Sequence, residues 1–111
     1  MSMGPTAKGP VEDYIIFQVP DEVDPNEPEQ RNRMDRTAEA QVIAQYERPP
    51  KAVVMDSIDW LVTSDWREVE RFQPAHDCAT CRAANDQAVA FLKEHPEERL
   101  ALGNLRYWEV W

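Results

Sequence analysis

Proline placement constrains this chain more than any other feature. Seven of its nine prolines fall within the first 50 residues, and each fixes φ and removes a backbone donor. Irregular backbone is therefore concentrated in the first half, and longer regular elements are expected in the second. Within the first half, an element must fit between Pro10 and Pro20, and another between Pro28 and the Pro49-Pro50 pair.

Tyr14, Ile15, Ile16, Phe17 and Val19 fill the first of these windows with a β-rich apolar run, which suits a strand covered on both faces. The following segment, DEVDPNEPE, holds five carboxylates and two prolines and reads as a solvated acidic loop over 20–30. Asn26 followed by Glu29 resembles a capping box, and Met34, Ala38 and Val42 recur every four residues, so a helix is expected to end near Glu47. A strand follows within 51–62, with Ala52, Val54, Ile58, Trp60 and Val62 as its apolar face. The segment WREVERF is read as a returning strand, with a short helix capped by Ser64 as the alternative. Asp77 or a neighbour should cap a second long helix, whose stripe is Cys81, Ala84, Ala88, Phe91 and Leu92, and Pro96 ends it. Gly103-Asn104 has turn chemistry, and Leu105–Trp111 reads as an aromatic closing strand.

That order, strand-helix-strand-strand-helix-strand, is the ferredoxin-like βαββαβ plait, an α+β arrangement with both helices on one face of an antiparallel sheet. The length of 111 residues fits one small domain. Residues 1–12 are expected to form a flexible tail and 13–111 the domain. If WREVERF is helical, the hairpin is lost and the sheet shrinks to three strands.

Charge narrows the function classes. With 21 acidic and 12 basic residues the formal charge is −9, spread over both halves, which opposes direct binding to nucleic acid or to anionic membranes. The longest apolar run, Ala88–Leu92, is far shorter than the roughly 20 residues that cross a bilayer. Residues 1–10 contain no apolar signal core, so a cytoplasmic protein is expected.

His76, Cys78 and Cys81 form the only recognisable chemical cluster, a His-x-Cys-x-x-Cys at a helix entrance. Thiolates there are favoured by the helix dipole and suit zinc or reversible disulfide chemistry, but inert core thiols fit as well. Zinc needs a fourth ligand, for which Asp21, Glu22 and Asp24 of the acidic loop are the candidates. His95 lies too far along the second helix to serve. The Cys-x-x-Cys resembles that of thioredoxin-like proteins in the motif alone. The Trp66–Trp111 stretch resembles the first half of a heavy-metal-associated domain over less than half the sequence.

Phosphate loops, nucleophile elbows and His-Glu-x-x-His signatures are absent, so a binding protein is expected rather than an enzyme. Its contact residues should be Asp21, Glu22 and Asp24 together with Tyr107, Trp108 and Trp111 of an aromatic edge strand. The partner should carry a basic surface or be a second copy. The alternative is a zinc-binding or thiol-redox module at His76, Cys78 and Cys81.

Overall fold

The computed structural model describes residues 10–74 and 78–111, without the side chain of Ser57. It is an α+β domain with the elements β1 (Val11–Gln18), α1 (Pro28–Ala44), β2 (Ala52–Thr63), α2 (Trp66–Arg71), α3 (Ala79–Glu94) and β3 (Leu100–Val110). β1 begins inside the stretch read as a tail, with Val11 opposite Tyr107 and Glu12 opposite Arg106. No helix among the described residues is long and apolar enough to cross a membrane.

The sheet has three strands in the order β1-β3-β2, and β3 runs antiparallel to both neighbours. β1 and β2 are consequently parallel to each other, and β3 is inserted between them as the centre of a split β-α-β unit. The expected plait is corrected at one element: WREVERF is helical. Asp65, not Ser64, caps α2, accepting from the Arg67 N–H at 2.9 Å. Its apolar residues Trp66, Val69 and Phe72 are spaced by three, so they share one helical face.

A second correction concerns the layers. Tyr14, Leu100 and Leu102 pack with Val69 of α2 and with Cys81, Ala88 and Leu92 of α3, whereas Ile15, Leu105 and Tyr107 pack with Ala38 and Val42 of α1. Tyr14 and Ile15 are adjacent, and so are Ala101 and Leu102, and adjacent strand residues point to opposite faces. The long helices thus cover opposite sides of the sheet, giving helix, sheet, helix. Burial on both faces explains the continuous apolar run of β1.

The register of β2 is set by an irregularity between Met55 and Ile58, where Asp56 and Ser57 stand opposite the single residue Arg106. The bulge changes which alternate residues face α1: Val53 and Met55 before it, Ile58, Trp60 and Val62 after it. The expected face of Ala52 and Val54 is therefore wrong. Val53 is 7% exposed and Val54 53%.

α1 begins at Pro28, whose missing N–H costs nothing in a first turn. Glu27 occupies the cap position without a side-chain hydrogen bond, in place of the expected Asn26. Its inward residues Met34, Ala38 and Val42 are buried as the spacing requires. The loop before it is well tied, because Arg99 Nη2 donates to the carbonyls of Pro20 and Val23 and the Val19 N–H donates to Arg99 O at 2.9 Å.

Candidate functional site

Among the described residues, two places carry side chains that simple packing does not account for: the open end of the sheet and the start of α3. On the face under α2 and α3, the rows are Gln18–Leu100–Thr63, Ile16–Leu102–Leu61 and Tyr14–Asn104–Asp59, with Gln18 and Asp59 exposed at the sheet edges. The next row is charged, with the Arg106 guanidinium 3.7 Å from the Glu12 carboxylate. Beyond it come Trp108 beside Val54 and Val110 beside Ala52. Val54 and Val110 are 53% and 39% exposed, Trp108 is half-buried, and none of the three belongs to a core cluster.

Trp111 points to the other face, edge-on to Tyr46 with centroids 6.1 Å apart, and its Nε1–H donates to Glu109 Oε2 at 3.0 Å. It remains 45% exposed. Tyr107 does not share that exposure. At 2% it belongs to the core, its hydroxyl 2.7 Å from that of Tyr46, and burial pushes its ionisation well above the usual phenol range. β3 is also the central strand rather than an edge, so Leu100–Tyr107 has no unpaired backbone to offer another chain.

The acidic loop lies elsewhere. Asp21, Glu22 and Asp24 are exposed and follow the end of β1, which pairs with Leu100, whereas Trp108 and Val110 are at the opposite end of β3. Eleven residues of strand separate the two ends, about 33 Å at roughly 3.3 Å per residue. The residues expected to form one contact surface are thus not brought together.

At the start of α3, Cys78 is the cap residue and is joined to Cys81 by a disulfide. The Cys81 N–H donates to Cys78 Sγ at 3.0 Å. Cys81 is 8% exposed and packs in the core with Val69 and Leu92, while Cys78 is half-buried at its margin. The remaining expected zinc ligand, His76, and the expected cap Asp77 lie outside the described residues. The acidic loop does not approach the cysteines. It sits at the Leu100 end of the sheet, beside the C-terminus of α3, and sixteen helical residues at about 1.5 Å each span about 24 Å to Cys78. Among the described residues no three His, Cys, Asp or Glu side chains gather as a metal site. Disulfide sulfurs are not thiolates, so the pair as bonded here has no metal-ligating charge.

Between the end of α2 and α3 is a cavity of about 370 Å³ lined by Glu70, Phe72, Gln73 and Pro74 on one side and Arg82, Asn85 and Asp86 of α3 on the other. Asn85 fixes its floor, accepting from the Tyr14 hydroxyl and donating to Val69 O at 3.2 Å. Sequence reasoning singled out the cysteines and Trp108 but not Val54 and Val110, whose exposure depends on the bulge and on how far α3 reaches. No protein-family model, curated protein or solved structure matches the chain.

Proposed function

We propose that this protein acts by binding another protein through the open end of its sheet. The observation that supports the reading is the apolar row of Val54, Trp108 and Val110, left exposed beyond the charged Glu12–Arg106 row. A half-buried tryptophan on paired strands is the kind of anchor that dominates binding energy, and the exposed valines beside it extend the apolar contact.

Charge selects the partner class. Each copy carries −9, so a second copy is repelled, and a partner presenting an apolar plug rimmed by Lys or Arg is favoured. Distance decides which carboxylates matter. Asp21, Glu22 and Asp24 lie about 30 Å from the patch, roughly three Debye lengths at 0.1 M salt, so their effect there is screened. Glu12, Asp56 and Glu109 are the local acidic groups.

A Lys/Leu amphipathic peptide and its Glu/Leu counterpart test this by NMR titration of the full chain. The Lys/Leu peptide should shift residues 52–54 and 108–111, weaken with added salt, and lose at least about tenfold in affinity with Val54→Asp, the loss of a desolvated contact worth about 1.4 kcal/mol. Equal binding of both peptides, or shifts centred on the acidic loop, would refute the reading. A dimer in sedimentation equilibrium that dissociates with Val54→Asp would replace it by self-association.

A further inference from the structure

Cys78 and Cys81 are bonded across the first turn of α3, and the two sulfurs are unequal. Cys81 is enclosed by the core, whereas Cys78 is only half-buried at its margin and is the more exposed of the two. A bridge spanning three positions closes a very short loop and restricts the unfolded chain little, so a stapling role gives a weak account of it. The local electrostatics suit bond cleavage. The Cys81 N–H already points at Cys78 Sγ from the positive end of a sixteen-residue helix, and no acidic side chain occupies the first turn of α3.

The neighbouring cavity supplies the second observation. Its wall includes Arg82, which follows Cys81 directly and lies one helical turn along α3 from Cys78, although neither sulfur lines it. A volume of about 370 Å³ with the Phe72 ring and several polar side chains matches a small peptide rather than a bare alkyl thiol.

We propose that Cys78–Cys81 is a reversible redox site that exchanges with the thiol of a small cysteine peptide of the glutathione type. The peptide thiolate attacks Cys78 Sγ, the bond between the two protein sulfurs breaks, and Cys81 leaves as a thiolate that takes a proton from solvent. A second peptide thiolate attacks the peptide sulfur of the mixed disulfide and releases Cys78 as a thiolate held by the Cys81 N–H. One protein disulfide and two peptide thiols thus become one protein dithiol and one peptide disulfide. The step is independent of partner binding at the sheet end.

The test equilibrates the full chain in buffers of varied reduced and oxidised glutathione with a chelator, followed by acid quenching and mass analysis. Disulfide and dithiol forms should interconvert as one two-electron couple. Cys81→Ser should accumulate a glutathione adduct at Cys78 at least about tenfold faster than Cys78→Ser does at Cys81, because access and thiolate fraction both favour Cys78. Glutathione should react faster than 2-mercaptoethanol at matched thiolate concentration. If a serine variant fails to fold, alkylation of the partly reduced wild type serves instead, and Cys78 should be labelled first. A disulfide that persists at every glutathione ratio, equal rates at the two sulfurs, or no preference for the peptide thiol would overturn the proposal.

Discussion

Gly103 shows how a single residue can be misread from its neighbours alone. Followed by Asn104 it has the chemistry of a turn, yet it sits in the middle of β3, opposite Ile15 on one side and Trp60 on the other. The reason is close approach: a Cβ at this position would lie 2.7 and 2.8 Å from two ring carbons of Trp60. The ring cannot easily withdraw, because Trp60 Nε1–H donates to Asp35 Oδ1 at 2.8 Å and the Phe17 ring stands edge-on to it at 5.4 Å. Gly103→Ala should therefore destabilise the fold by about 1–3 kcal/mol through overpacking. Urea unfolding measures this, and Trp60→Leu in the same chain should recover part of the loss. A neutral Gly103→Ala would show that the ring moves freely. The glycine was legible as special, but its cause lies on another strand and leaves no local trace. The cysteine pair was legible for the opposite reason, since both partners fall within one helical turn.

Elements were legible where their period was unambiguous. The four-residue recurrence of Met34, Ala38 and Val42 gave α1, and the stripe through Cys81, Ala88 and Leu92 gave α3. α2 was misread although its spacing argued against a strand, since alternation would have placed Glu68 and Glu70 on the same face as Trp66 and Phe72. What holds α2 is tertiary: Trp66 lies under the Lys93 ammonium at 4.3 Å, and Val69 is fully buried. β2 was located and its face was right at Ile58, Trp60 and Val62, but one residue out at Ala52 and Val54, because a bulge has no reliable sequence signature. Removing Asp56 should convert the bulge to a regular pair, with Ser57 opposite Arg106, and keep Val53, Met55, Ile58, Trp60 and Val62 together on the α1 face. The expected result is a stability within about 1 kcal/mol of the parent, measured as the shift in unfolding midpoint. A loss of several kcal/mol would mean that the extra residue does more than bring the two parts of β2 onto one face.

At the scale of the whole molecule, the α+β class was legible and the layering was not. Composition and period place apolar residues on an element, but they do not say which side of a three-stranded sheet each helix will cover. The same gap hid half of the candidate surface, since Trp108 and Trp111 are conspicuous in any sequence whereas Val54 and Val110 stand out only once α3 is seen to stop short of them. β3 ties the layers together, because it supplies residues to all three core clusters and lies between the other two strands described. A chain of residues 10–99 should accordingly lack cooperative unfolding, and circular dichroism with heating tests this. A sharp transition would show that α1 and α3 can pack without it. During synthesis, β1, both long helices and β2 all leave the ribosome before the segment that joins them. The nascent chain must therefore carry its apolar faces unsheltered until the final strand emerges, a period in which a holding chaperone has the most to bind.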